Sequence, residues 1–360
     1  MVQYSDIFKD NKRPIFEGES REYYRGKAVL VTGGGGSVGS ELVRMLATLA
    51  PKTVIVFDMY ENNAFELCGE LSAEYRDVDF RIEIGSVCDA RRLATVFSKY
   101  RPSVVFHAAA HKHVSLMEEN CAQALRNNSI GTAITADLAE KYGAEKFVLI
   151  STDKAVRPTG VMGATKRVCE MLTLPRKSNR TIFCAVRFGN VFGSHASVVP
   201  IFEKQILSGK SVTVTDKRMT RYFISLDDAA QLLLCAGAMA KNGELFVLDM
   251  GKPVNIYDIA ERMIRFFGKE PCKDIEIVET GLRPGEKLFE EYLLSDSEKY
   301  TKTANDMIYI EKDKSTLLAD HKAIYDLLCR TLENPETETD GNIIKKVLAD
   351  LIPDYTPKYN

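Results

Sequence analysis

Short apolar runs rich in β-branched residues alternate along the first half of the chain with longer segments that carry charge on one side. The runs 28–31, 53–57, 81–84, 103–107, 147–151 and 181–187 have the near-continuous hydrophobicity of strands buried on both faces. The segments between them, 40–50, 62–75, 90–100, 121–142 and 160–174, have helix length. Six βα units in succession predict an α/β protein built on a doubly wound parallel sheet.

Beyond Arg187 the rhythm loosens. A short strand is expected at 212–214, helices at 198–208, 226–240 and 255–268, and a loop at 279–286 with Gly281, Pro284 and Gly285. The isolated apolar run 245–249 is expected to return to the first sheet. The expected organisation is an N-terminal arm (1–25) and a dinucleotide-binding domain (26–190 plus about 226–250). A smaller C-terminal α/β substrate-binding domain (191–225 and 251–310) and a helical tail (311–360) follow. The run 335–342 reads as an exposed acidic loop before a last helix.

The 360 residues are 45% hydrophobic and 27% charged, which excludes a disordered or fibrous chain. A net charge of −2 advertises no basic face, so no nucleic-acid partner is expected. The most apolar helical stretch, 229–240, carries Gln231 and falls short of the roughly 18 residues a spanning helix needs. The first ten residues have no apolar core of a secretory signal. Eight scattered cysteines without a C-x-x-C pair suit a reduced, cytoplasmic protein. His111 and His113 have no further ligand at metal spacing, so no metal is expected.

The strand at 28–31 runs into Thr32-Gly33-Gly34-Gly35-Gly36-Ser37-Val38-Gly39. Glycines at 33, 36 and 39 let the chain turn tightly and bring a pyrophosphate onto a helix N-terminus. Asp58 closes the second strand, where a carboxylate suits the adenosine ribose hydroxyls and repels a 2′-phosphate; NAD is expected rather than NADP. The same residues also fit the hydrolase elbow G-x-S-x-G, but that motif follows several strands, not the first. A P-loop would need lysine where Ser40 stands. A glycine turn without a ligand is the remaining alternative.

Three later strand ends carry chemistry: His107-Ala108-Ala109-Ala110-His111-Lys112-His113, then Ser151-Thr152-Asp153-Lys154, then Arg187-Phe188-Gly189-Asn190-Val191. The small alanines can lie flat against a cofactor. An acid and an amine side by side could be an ordinary solvated pair, but the carboxyl end of a parallel strand favours a site.

Together with Asn127-Asn128, these motifs resemble extended short-chain dehydrogenase/reductases acting on nucleotide sugars. His113 to Glu118, Ser151 to Lys166, Met219 to Phe223 and Arg283 to Lys287 are similar to the polysaccharide-biosynthesis branch, whose members are UDP-N-acetylglucosamine 4,6-dehydratases. The resemblance spans residues 26–295 and implies a Rossmann-like domain. The cofactor residues it implies are Gly33, Gly36, Ser37, Val38, Gly39, Asp58, Asn62, Ser86, Val87, Ala108, Ala109, Ala110, Asn128 and Lys166. For UDP-N-acetylglucosamine it implies Lys112, His113 and Met117 at the sugar, Asn190, Arg221 and Arg283 at the diphosphate, Glu286 at the uridine ribose, and Val198.

The superfamily's Tyr-x-x-x-Lys is altered: Met162 stands at the phenol position, with Lys166 one turn on. A thioether transfers no proton. Met162 could be core filling in a dead enzyme, yet the branch contains active members with this methionine. Ser115 replaces the branch's usual proline. The catalytic set is expected to be Thr152, Asp153, Lys154, Lys166 and Met162, with Asp153 as acid/base and Lys154 as the base at C5, its pKa depressed by burial or Lys166. The expected product is the C5-retained 4-keto sugar, because proton groups gather on one face and methionine resembles the retaining members. The C5-inverting dehydratase, the UDP-N-acetylglucosamine 4-epimerase and a redox-inactive NAD-sensing scaffold are the alternatives. Membrane helices precede the catalytic part in many members; here the chain is expected to be a short form or the cytosolic catalytic part of a longer, membrane-anchored protein. A homodimer or higher homo-oligomer is expected from the superfamily.

Overall fold

The structure, a computed structural model, describes residues 17–195, 197–291, 297–313 and 315–358. The six expected βα strands form as β1 (Ala28–Thr32), β2 (Thr53–Asp58), β3 (Phe80–Ile84), β4 (Val104–His107), β5 (Lys146–Ile150) and β6 (Ile182–Arg187). They are joined by helices α1 (Ser37–Ala47), α2 (Glu61–Glu74), α3 (Ala90–Tyr100), α4 (Gly131–Lys141) and α5 (Val161–Thr173). Next come α6 (Val198–Leu207), α7 (Leu226–Met239), β7 (Glu244–Leu248) and α8 (Ile256–Phe266). The last elements are β8 (Tyr300–Lys302), β9 (Ile308–Glu311), α9 (His321–Glu333) and α10 (Gly341–Leu351).

The main sheet has the order β8-β9-β7-β6-β5-β4-β1-β2-β3, parallel from β7 to β3. Strand order reverses beside β1, which opens a crevice at the carboxyl ends of β1 and β4. Alternate residues feed opposite faces: Val29 and Val31 pack with Leu42, Leu67 and Leu233, whereas Leu30 packs with Leu93, Phe97 and Phe147. Both faces are therefore buried, as the unbroken apolar runs require.

Three local outcomes differ from the sequence expectation. Residues 300–310, assigned to the substrate domain, instead join the main sheet with Glu311: β9 lies antiparallel on the edge of β7, with Leu248 opposite the fully buried Ile308, and β8 pairs with β9. An apolar strand edge left open would invite foreign pairing, and β9 covers it. The helix expected over 121–142 is broken by a wide π-helical turn at Leu125–Ile130, a distortion common at functional sites. The acidic run is only partly solvated: Glu338 accepts a hydrogen bond from Arg126 at 2.8 Å, and Thr337 is buried.

Residues 1–16 of the expected arm lie outside the described residues. The rest docks: Tyr24 is fully buried and donates its hydroxyl to the Leu234 carbonyl of α7 at 2.6 Å. A separate apolar cluster holds Val199, Phe202, Val214, Ile259 and Met263, uniting α6, α8 and the strand Val212–Val214, which pairs in parallel with Ile277–Glu279. Helices α9 and α10 bury Ile324, Leu328, Ile344 and Leu348 against α5 and Met117. At that seam the Glu118 carboxylate accepts the amide of Val161 at the start of α5 and pairs with Lys345 of α10 at 3.3 Å. Among the described residues no helix is long and apolar enough to cross a membrane.

Candidate active site

A cleft of about 980 Å³ opens at the carboxyl end of the sheet, at the upper end of the size range for small-molecule sites. One half is built from backbone. Gly33 has φ 67°, and a Cβ there would sit 2.6 Å from the Ala109 amide nitrogen; at Gly39 it would sit 2.1 Å from the Gly33 carbonyl oxygen. No larger residue fits either position. Helix α1 starts after Gly36 without a side-chain cap, so its free amides face the cleft as a ready anion site. Asp58 accepts the Gly35 amide at 2.8 Å on one oxygen and the Tyr60 amide at 2.9 Å on the other. Each carboxylate oxygen keeps lone pairs for a ligand hydroxyl.

Ser37, Val38, Ser86, Val87, Ala108, Ala109 and Ala110 line the same half. Asn62 does not line it; Asn63 does, and donates to the Gly35 carbonyl at 3.2 Å. The difference is a single helical position that no composition rule fixes. Asn128 is fully buried behind the wall, where it accepts the His111 amide at 2.7 Å and donates to the His111 carbonyl at 3.1 Å. It positions the alanine segment, while its neighbour Asn127 lines the cleft. These features fit a dinucleotide: uncapped amides for the pyrophosphate, a cradle that excludes Cβ atoms, and a carboxylate for the ribose.

Under the alanines lies His107, fully buried between the Thr32 hydroxyl at Nδ1 (2.8 Å) and the Thr132 hydroxyl at Nε2 (2.9 Å). Burial, with Lys166 nearby, lowers its pKa to about 3. It is a neutral structural histidine.

The other half carries the titratable groups. Directly after β5 the chain makes a tight turn at Asp153–Ala155. Thr152 and Lys154 face the cleft, whereas Asp153 is 2% exposed and does not line it. The Thr152 hydroxyl donates to Asp153 Oδ1 at 2.9 Å. The Lys154 ammonium donates to the same oxygen at 3.0 Å and to Asn190 Oδ1 at 3.0 Å, and it pairs with Glu290 at 3.4 Å. Burial pulls the Lys154 pKa down, but the Asp153 and Glu290 carboxylates outweigh it and hold it above the ordinary lysine value. The expected depression is not seen: neighbouring Asp153, with Glu290 as a second carboxylate that the sequence did not reveal, raises the lysine instead. Lys166 donates to the Ile150 carbonyl at 2.7 Å, and Met162, 3% exposed, sits one turn before it on the cleft wall.

Lys112, His113, Met117, Asn190, Val198, Arg221 and Glu286 all line the cleft. Arg221, however, spends its guanidinium on the carbonyls of Thr220, Leu288 and Lys287 at 2.8, 3.1 and 2.7 Å; it anchors the loop carrying Glu290. Asn190 accepts from Lys154 on its Oδ1. Arg283 is exposed and does not line the cleft. Of the three residues expected at the diphosphate, Asn190 and Arg221 line the cleft while bonded to other groups, and Arg283 is outside its lining. Glu290 escaped sequence reading because nothing distinguishes it from Glu291, which pairs with Lys287 at 3.8 Å; only the fold turns one inward. Lys112 donates to the His195 carbonyl at 2.8 Å, and the His195 amide donates to Ser37 at 2.9 Å, so the second lobe reaches across to the glycine loop.

Comparison with known proteins places this architecture. The model of the family described as polysaccharide biosynthesis protein matches residues 29–313. The "probable polysaccharide biosynthesis protein EpsC" of Bacillus subtilis is 48% identical over 313 residues, covering 86% of this chain and 52% of EpsC; the chain spans about half the length of that relative. A Campylobacter jejuni protein named UDP-N-acetylglucosamine 4,6-dehydratase (inverting) is 33% identical over 284 residues, 77% of this chain and 80% of that protein. Among solved structures, Pen from Bacillus thuringiensis superposes with a TM-score of 0.74 at 33% identity, covering 86% of this chain and 99% of Pen. With its Rossmann-like sheet and its glycine loop, the chain belongs to the polysaccharide biosynthesis protein family, in the extended short-chain dehydrogenase/reductase superfamily.

Proposed function

We propose that the chain is an NAD-dependent UDP-N-acetylglucosamine 4,6-dehydratase that retains configuration at C5. The observation that carries this is the Thr152–Asp153–Lys154 cluster at the end of β5, facing Met162 where the superfamily has its phenol. NAD held by the glycine loop and Asp58 would supply the hydride chemistry, oxidation at C4 and reduction at C6. Every remaining task is a proton transfer or a positioning task for the chain.

Thr152 takes the 4-hydroxyl proton as it passes its own to Asp153 Oδ1, so the buried acid acts through the hydroxyl that faces the cleft. The 4-ketone acidifies H5, which the Lys154 amine removes. Asp153 returns its proton through Thr152 to the 6-hydroxyl, which leaves as water. Lys154 then reprotonates C5 from the face it deprotonated. Lys166 sits where it can hold the nicotinamide ribose, and its charge favours oxyanion character at O4. Lys112, His113 and Met117 border the space for the sugar.

The inverting dehydratase is the second reading, favoured by the name of the Campylobacter jejuni relative. One experiment separates them all. The protein is incubated with NAD and UDP-N-acetylglucosamine in D₂O, with mass spectrometry for the loss of 18 Da and early proton NMR. The expected result is water loss with deuterium at C5 in the D-xylo configuration. An L-arabino first product overturns retention, C4 inversion without water loss indicates an epimerase, and no reaction indicates a binding protein.

A further inference from the structure

A base must be neutral, yet Lys154 rests as an ammonium between two carboxylates. Asp153 Oδ1 lies 3.0 Å from its nitrogen and Glu290 Oε1 lies 3.4 Å away. The dehydratase route relieves one of them: once the 4-hydroxyl proton has reached Asp153, a single carboxylate still faces the amine. That carboxylate is Glu290. Its side chain is 3% exposed, and its other oxygen has no hydrogen-bond partner among the described residues. Arg221 lies 3.6 Å from Oε1, but its guanidinium is held in place by three backbone carbonyls. Glu290 also lines a second cavity of about 200 Å³, with Thr159, Gly160, Gly163 and Lys287. Lys154 borders both cavities, whereas Glu290 borders only the small one and Thr152 only the cleft. The small cavity has the charged groups of Lys154, Lys287 and Glu290 in its walls and room for several waters.

We propose that Glu290 is the proton partner of Lys154: it takes one ammonium proton so that the free amine can remove H5, and exchanges it with water held in the small cavity. The inference rests on the dehydratase reading above. The protons balance. Lys154 gives a proton to Glu290, takes H5, gives a proton to C5 and recovers one from Glu290. Asp153 gains the 4-hydroxyl proton and gives it to the departing 6-hydroxyl, and hydride moves from C4 to C6. The sum is the loss of one water. Glu290 then connects the amine to the water of the small cavity, and oxidation at C4 switches the base on by neutralising Asp153.

The test uses the full chain with NAD and UDP-N-acetylglucosamine. In Glu290→Gln the carboxamide keeps the shape but takes no proton. The 340 nm rise on substrate addition should persist at close to the wild-type rate, while water loss and deuterium entry at C5 fall about 100-fold, the scale of one proton-transfer group. A second variant, Glu290→Ala, should regain at least tenfold in water loss on addition of formate, which the enlarged cavity admits. Turnover of Glu290→Gln within threefold of wild type, joint loss of the 340 nm rise and water loss, or absence of formate rescue each overturns the relay. Wild-type protein that gives neither a 340 nm rise nor 18 Da loss overturns the dehydratase reading itself, a result distinguishable because it appears before any substitution is made.

Discussion

The Thr152 hydroxyl, which faces the cleft, donates to Asp153 Oδ1 at 2.9 Å, and Asp153 itself is 2% exposed. The acid can therefore reach a bound sugar only through its neighbour. Thr152→Val keeps the shape and removes the link, so turnover should fall about 10²- to 10⁴-fold with NAD still bound. Asp153→Asn should abolish turnover and likewise leave NAD bound. Stopped-assay kinetics with a dialysis measurement of bound NAD check both; near-normal turnover in Thr152→Val removes the hydroxyl from the proton path.

Asp58 joins cofactor choice to loop geometry, because its two oxygens already hold the Gly35 and Tyr60 amides. Hydrogen bonds to a charged acceptor are worth about 1.5–3 kcal/mol each. Asp58→Ser should therefore weaken NAD binding about 10- to 100-fold and narrow the preference over NADP. Titration calorimetry with both dinucleotides reads this directly; unchanged NAD affinity would place the ribose elsewhere.

Behind the site, Ser151, Glu170, Arg187 and Glu311 form a buried polar network. Arg187 donates to Glu170 at 2.6 and 2.7 Å and to Glu311 at 2.9 Å. Burial pushes the Glu170 pKa up, but Arg187 overcomes it and holds it at about 2, below the ordinary 4.5. A carboxylate depressed in the fold stabilises it above pH 4.5, and that stability is lost as pH falls through about 2. Glu170→Gln leaves Arg187 buried with half its charge compensation and should cost about 3–5 kcal/mol. Chemical denaturation at pH 7 and pH 3 should show the cost shrinking at the lower pH.

His107 titrates in the same acid range. The Thr132 hydroxyl donates to the Asn128 carbonyl at 2.6 Å, so it receives the imidazole Nε2–H, and Nδ1 accepts from Thr32. With its pKa lowered from 6.5 to about 3, the folded ring stays neutral while the unfolded one protonates, and stability declines as pH falls from 6.5 towards 3. Nitrogen NMR should find the neutral Nε2–H tautomer at pH 5. A protonated ring there would contradict the burial that sets it.

The main sheet, the glycine loop and Asp58 were legible because each rests on local rules: apolar runs, glycine spacing, a carboxylate at a strand end. The pairing of β9 with β7 was not, since an edge strand of mixed polarity is defined by what it covers. The hydrogen-bond partners of Arg221 and Asn190 were not legible either. A residue type says which bonds it can make, but not which partner the fold offers first. Glu290 was invisible because inward and outward glutamates have the same letter. The π-helical turn at Leu125–Ile130 is likewise a matter of packing, with Asn128 drawn behind the His111 segment.

The bridge from Glu118 to Val161 and Lys345 sets an order of assembly. The glycine-loop side of the cleft, from Gly33 through Asp58 to Ala110, precedes residue 345 in synthesis and is joined by neighbouring strands. The start of α5, which presents Met162 and Lys166, has its first amide held by Glu118, and Glu118 is neutralised by an amine from α10. The Glu118–Lys345 pair spans more than half of the chain and carries a correspondingly slow closure. A nascent chain of this protein is thus expected to form the glycine-loop side of the cleft before the Glu118 carboxylate at the start of α5 gains its Lys345 partner.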